Sequence, residues 1–406
     1  MKMIKSGVAV WPLALCLSLL VLVPVFAQVG PKFQSGMEPP HLLAGPYLQN
    51  PGEDSMTVVW LTDKNTTASV EYGANGLLDQ KAVAIHAGLI DANTRLHRVR
   101  LTGLKPGTPY QYRISSTEIV KFGPYSVTFG TNVTSPPAAF KTLSRQSDQV
   151  SFVVMNDLHQ NLQTMQVLWG FAKVNPVDLV FFNGDSLDYL ENEDQIVKFL
   201  LQPVTGLFAQ STPLMYVRGN HETRGRYARF LHDFLDTPGG EYYYSFDAGP
   251  VHFVVLDTGE DKEDSHPAYS GLNGFAGYRD GEKQWLAQEV KSRAFRSARY
   301  RVVFMHIPPF SAREGRGRSG GAQDCFEKFT PLLNRAKVDL LITAHTHHYA
   351  YLEPKPGEHD YPMVNGGGPS QEGATLIRLD ADKQRLHLTV TQGDGVILHQ
   401  RDYPAK

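Results

Sequence analysis

Six short, apolar-rich runs set the tightest limit on what this chain can fold into: residues 150–155, 177–182, 213–217, 251–256, 301–305 and 338–343. Each is too short for a helix and too continuously apolar for a strand with one wet face. Such runs fit strands buried on both sides. Amphipathic stretches at 162–173, 194–201, 282–295 and 322–336 alternate with them, which is the α/β pattern. Five of the six runs end directly in residues that bind metals or move protons. They lead into Asp157-Leu158-His159, Gly184-Asp185, Gly219-Asn220-His221-Glu222, His306 and His345-Thr346-His347. Open α/β sheets bind ligands just beyond the carboxyl ends of their strands. Five clusters at five such ends therefore predict one convergent site. Alone, each is weak: Gly-Asp is a common turn, Asn220 could cap a helix, and His306 could be a core histidine. His345 and His347 are stronger, because positions i and i+2 of an extended chain share a side. A last group of runs, 375–379, 385–391 and 396–400, reads as a β meander completing a second sheet.

The segment before this pattern has another texture. Residues 55–62, 68–72, 97–101 and 110–114 alternate polar and apolar side chains between Asn50-Pro51-Gly52, Gly73-Ala74-Asn75-Gly76 and Lys105-Pro106-Gly107. Short strands at this spacing imply an antiparallel β-sandwich, with Trp60 in its core. The turn at 101–110 resembles one in fibronectin type III modules. No His, Asp or Cys clusters there, so the segment reads as a structural or docking module. The expected layout is a signal peptide over 1–27, a short linker over 28–42, the sandwich over 43–145 and the α/β domain over 146–406, with the junction near 138–148.

Lys2 and Lys5 precede an apolar run over 8–26 that ends at Ala27. This is the form of a secretory signal cleaved near Ala27, which predicts a periplasmic or secreted protein; an uncleaved segment would instead tether it to a membrane. Cleavage would move the net charge from −2 to −4 and leave Cys325 as the single thiol. That excludes an internal disulfide, a four-thiolate zinc site and a thiolate-held iron–sulfur cluster. An acidic mature chain also argues against a nucleic-acid partner. Any metal must be held by nitrogen and oxygen.

In order, the five clusters resemble the calcineurin-like metallophosphoesterase superfamily, whose pattern is D-x-H, G-D-x-x-D, G-N-H-[DE], a lone H and G-H-x-H. This chain supplies Asp157-x-His159, Gly184-Asp185-Ser186-Leu187-Asp188, Gly219-Asn220-His221-Glu222, His306 and His345-x-His347, with Ala344 in place of the last glycine. The N-terminal sandwich is similar to the module that precedes the catalytic domain in purple acid phosphatases. The resemblance implies a four-layer αββα domain and a dinuclear centre of divalent or mixed-valence Fe, Mn, Zn or Co. One ion would take Asp157, His159 and His347, the other Asn220, His306 and His345, with Asp185 bridging. A metal-bridging hydroxide would attack a small phosphate ester, and His221 would protonate the leaving oxygen or stabilise its charge. A phosphomonoesterase is expected; the alternatives are a phosphodiesterase with the same site and a non-enzymatic surface protein with a vestigial one.

Two positions depart from purple acid phosphatases. His159 stands where they carry Gly, and Asp188 where they carry a metal-binding Tyr, with Tyr189 one place late. A one-residue shift turns a side chain the other way, so no iron–tyrosinate bond and no purple colour are expected. Arg313, Arg316 and Arg318 form a local basic loop that could clamp phosphate, and Lys291–Arg299 could be a solvated helix face. Arg218, Glu222, Arg224, His348 and Tyr349 either line the pocket or brace it.

Overall fold

The computed structural model describes residues 31–310 and 320–405. The signal-peptide segment and Arg313, Arg316 and Arg318 lie outside the described residues.

The α/β region has the four expected layers. In one sheet, Val150–Met155 lies beside Leu179–Asn183, which pairs in turn with Leu214–Val217, all parallel. The meander Thr375–Ala381, Arg385–Gln392 and Ile397–Pro404 extends this same sheet by antiparallel pairing with Val150–Met155, rather than building a second one. The other sheet runs Tyr244–Ala248, Val251–Val255, Tyr300–Phe304, Leu340–Thr343, Met363–Asn365 and Ala350–Leu352. Strand alternation divides the apolar side chains between two cores. Phe152 and Val154 turn inward to meet Phe253 and Phe304 of the facing sheet, while Val153 and Met155 turn outward against helices. Phe181 and Phe304 stack across the seam at 4.2 Å.

Helices cover both outer faces. Leu162–Ala172 starts at Asn161, whose side chain accepts from Thr164 N, and buries Met165 and Leu168. Phe275–Glu289 starts earlier than its sequence suggests, because its cap is remote: the Asp264 carboxylate accepts from Phe275 N and Ala276 N at 2.9 and 3.0 Å. Gly320–Ala336 packs Cys325, Phe329 and Leu333 inward. The helix read as ending at 201 runs on through Gln202–Val204 to Thr205–Ala209. Wide turns at Val197–Leu201 and Thr205–Ala209 flank Pro203, which has no N–H to give and crowds the preceding turn.

The N-terminal strands form the expected two-layered sandwich. Leu42–Gln49, Ser55–Thr67 and Ala92–Thr102 make one layer; Ser69–Ala74, Pro109–Phe122, Val127–Thr134 and Ala138–Lys141 make the other. Residues 138–141, read above as the junction, are thus a strand paired with 109–112. Trp60 is fully buried and donates through Nε1 to Ser116 Oγ at 2.9 Å. The outer face of the first layer docks on the α/β region. Ala44, Tyr47, Val59 and Leu61 share a core with Leu200, Leu201, Val204 and Phe234. Tyr47 Oη donates to Phe234 O at 2.8 Å, and Arg98 Nη2 donates to Asp233 O and Leu235 O at 2.9 and 3.0 Å.

Candidate metal centre

Five of the seven candidate ligands sit in left-handed backbone conformations: Asp157, His159, Asp185, His345 and His347, with φ between 45° and 71°. Few non-glycine residues adopt this region, and it concentrates where function imposes strain. The expectation that His345 and His347 share one side of an extended chain therefore fails. The chain turns at both, and the two imidazoles part to different halves of the site.

All seven candidate ligands converge. Asp157, His159, Asp185 and His347 bring their ligand atoms within 4.8 Å of one another, as do Asp185, His306 and His345. His159 Nε2 and His347 Nε2 lie 3.0 Å apart, and Asp157 Oδ1 is 3.6 Å from His347 Nε2. Asn220 Oδ1 completes the second group, 2.9 Å from His345 Nδ1 and 3.1 Å from His306 Nε2. The groups meet at one atom: Asp185 Oδ2 is 3.0 Å from His306 Nε2 and 3.8 Å from His159 Nε2. The donors are oxygen and imidazole nitrogen throughout, a set suited to borderline-hard transition metals.

A surrounding layer of hydrogen bonds aims these donors. His306 donates from Nδ1 to Asn183 O at 2.9 Å, and His159 Nδ1 pairs with Asp188 Oδ1 at 2.7 Å. Both rings therefore turn Nε2 to the centre. Asn156 Nδ2 donates to Asp157 Oδ2, and His345 N donates to the same oxygen at 2.9 Å. Glu222 is a brace: its buried carboxylate accepts from the backbone N–H of Asp185, Leu187 and Gly219 at 2.9–3.0 Å. Two glycines make room. A Cβ on Gly184, at φ +81°, would fall 2.2 Å from His306 Nδ1, and one on Gly219 would fall 2.3 Å from Asp185 N.

The electrostatics suit a cation host. Burial, reinforced by Asp185, pushes Asp157 up to about 8, although His306 opposes it. Burial also disfavours charge on Asp185, yet His306 and the His221 N–H outweigh it and hold its carboxyl below the usual range. Burial works against His306 as well, but Asp185 and Asp157 push it up to about 10. Burial and the neighbouring His306 drive His345 down to about 4. Burial thus favours the protonated form of Asp157, while Asp185 and His306 hold opposite charges beside it.

His221 lies beside the first group, its ring 4.7 Å from that of His159. Its Nδ1 is 2.7 Å from Asp188 O, and its Nε2 is 3.2 Å from Arg224 Nη1. Arg218 braces rather than faces the centre: it pairs with Asp257 at 2.5 Å and lies 4.0 Å from the Tyr242 ring centroid. His348 is exposed, and Tyr349 packs on the inter-sheet core. Lys291, Arg293, Arg296 and Arg299 are exposed, as a solvated face would be. Sequence reasoning missed Asn156, Asp188 as the partner of His159, and Glu260, whose buried carboxylate accepts from Arg224 Nε at 2.9 Å. Asp188 was legible as the final Asp of its motif; Asn156 and Glu260 carry no such signal.

Residues 150–349 match the family model described as calcineurin-like phosphoesterase, and residues 45–142 match purple acid phosphatase, N-terminal domain. Purple acid phosphatase 21 of Arabidopsis thaliana is 26% identical over 347 residues, spanning 80% of this chain and 71% of its own. Acid phosphatase type 7 of Mus musculus is 27% identical over 379 residues, spanning 83% and 76%. Among solved structures, purple acid phosphatase PPD1 from yellow lupin seeds superposes with a TM-score of 0.67 at 17% identity, covering 88% of this chain and 74% of that one. PhoD superposes with a TM-score of 0.61 at 13% identity, covering 89% and 91%.

Proposed function

The chain is a calcineurin-like metallophosphoesterase with a purple acid phosphatase-type N-terminal domain, and from that premise we propose that it hydrolyses small phosphomonoesters outside the cytoplasm. Asp157, His159 and His347 would hold one transition-metal ion and Asn220, His306 and His345 the other, with Asp185 shared; Fe, Mn, Zn and Co all suit the donors. The observation that carries the reading is Asp185 Oδ2, one oxygen standing between two imidazole groups. When bound, such ions supply Lewis acidity and an acidified water.

The chain's own residues do the rest. Asp188 and Asn183 O hold the Nδ1 sides of His159 and His306, so both rings are oriented before any ligand arrives. Glu222 fixes the Asp185 loop, so the shared carboxylate needs no reorganisation to span two ions. His221 stands outside the ligand set, its ring 4.7 Å from that of His159, where it would act on the ester's leaving group. Monoesters are favoured over diesters by the phosphatase names of the relatives that span most of the chain. Export rests on Lys2, Lys5 and the apolar run closing at Ala27.

The test is metal content and turnover together, on alkyl and aryl phosphomonoesters and on diesters, after chelation and reloading with Mn, Zn, Fe or Co. Chelation is expected to abolish turnover and reloading to restore it. Asp185→Asn should lower bound metal, whereas His221→Ala should keep it and lose most turnover on the alkyl monoester. Full activity in the chelated protein, or of His221→Ala on the alkyl monoester, would overturn the reading.

A further inference from the structure

Arg224 sits four residues past Asn220, outside the five motifs but among the residues expected to line the pocket or brace it. Its guanidinium is nonetheless one of the most fully held groups near the centre. Nε donates to Glu260 Oε1 and Nη2 to Glu260 Oε2, both at 2.9 Å, a two-pronged clamp on a carboxylate that is 1% exposed. The second Nη2 hydrogen reaches Asp261 Oδ1 at 3.1 Å. The clamp is itself braced: Tyr269 Oη donates to Glu260 Oε2 at 2.7 Å, and Lys262 Nζ lies 2.7 Å from Asp261 Oδ1.

A guanidinium has five N–H donors. Three are spent on Glu260 and Asp261. A fourth, on Nη1, points at His221 Nε2 across 3.2 Å. Because a carbonyl oxygen only accepts, His221 Nδ1 donates to Asp188 O. Because a guanidinium only donates, His221 Nε2 accepts. In this arrangement His221 Nε2 is taken up as the acceptor of an Arg224 hydrogen. The fifth Arg224 donor, also on Nη1, has no partner among the described residues, and the side chain is 29% exposed.

We propose that Arg224 is a catalytic residue, meeting the charge that develops on the leaving oxygen with its unspent Nη1–H, and that His221 is its positioning residue. Glu260 and Asp261 fix the guanidinium at one end and His221 fixes it at the other, so the cation is in place before the ester bond breaks. This rests on the phosphatase reading above and changes which side chain faces the leaving group.

The experiment compares an alkyl phosphate, whose leaving oxygen needs help, with p-nitrophenyl phosphate, whose leaving group needs little, in the metal-loaded full chain. Arg224→Gln is expected to lower kcat for the alkyl ester about 100-fold, the scale of one fixed donor at a developing oxyanion, and to affect the aryl ester far less, with metal content unchanged. His221→Gln, which keeps an acceptor near the Nε2 position, should retain most alkyl-ester turnover, whereas His221→Ala should not. The double variant Arg224→Gln with His221→Ala should be no worse than Arg224→Gln alone, because the two act as one unit. Equal loss on both esters in Arg224→Gln, or no loss, would overturn the proposal. So would a His221→Gln protein as inactive as His221→Ala. A wild-type protein inert toward every ester under all metals would instead overturn the phosphatase reading.

Discussion

Asp188 occupies the position at which the resembled purple acid phosphatases carry a metal-binding tyrosine. Here its carboxylate pairs with His159 Nδ1, and Tyr189 is 51% exposed. The pair replaces a ligand by a hydrogen bond that turns His159 toward the centre. Iron-loaded protein should therefore lack the strong visible band of a tyrosinate-to-iron transition. An absorption spectrum of the reloaded enzyme checks this, and a band abolished by Tyr189→Phe would disprove it. Cys325 behaves oppositely to a reactive thiol: it is buried without exposure, and burial pushes its pKa well up.

Among the elements, the loops after the strands concentrate both strain and crowding. Gly219→Ala places a methyl 2.3 Å from Asp185 N, a backbone atom held in turn by Glu222. We expect a loss of roughly 1–3 kcal/mol in stability, together with a larger fall in activity, since the Asp185 loop must shift; Tm and turnover measured on one preparation check both. The same loops separate what was readable from what was not. Consecutive apolar residues announced the core strands, and the polar residues after five of the six announced candidate ligands. The left-handed turns were invisible, because Asp and His adopt them only when packing compels it. That is why the spacing of His345 and His347 suggested one shared side of an extended chain, whereas their rings fall in different groups of the site. The start of Phe275–Glu289 was hidden for a similar reason: its cap, Asp264, comes from a separate stretch of chain. The helix read over 194–201 extends past 201 because wide turns carry it across Pro203.

For the whole molecule, the sandwich was legible as a fold but its docking face was not, since Tyr47 and Leu61 look the same in sequence whether they face their own core or another's. Its own core contains an acid-sensitive point. His97 is 2% exposed, 2.7 Å from Thr66 Oγ1, with its ring 5.2 Å from that of Trp60; burial drives it down to about 4. Unfolded chain takes up that proton below about pH 6.5, and folded chain only near 4. The stabilisation is thus complete above pH 6.5 and drains as pH falls toward 4, by roughly 3 kcal/mol over the window. Urea midpoints at neutral and acidic pH should fall more steeply in the wild type than in His97→Gln; parallel falls would refute the assignment.

The two sheets contribute unequally to the centre. Asp157, His159, Asp185 and Asn220 follow strands of one, while His306, His345 and His347 follow strands of the other. Each ion would therefore be a rivet through the seam, joining layers tied there by His306 Nδ1 on Asn183 O and His345 N on Asp157 Oδ2, above phenylalanine rings packed between the sheets. Loading would then be a mechanical event as much as a chemical one, stiffening the mouth of the sandwich at the place where an ester must be gripped.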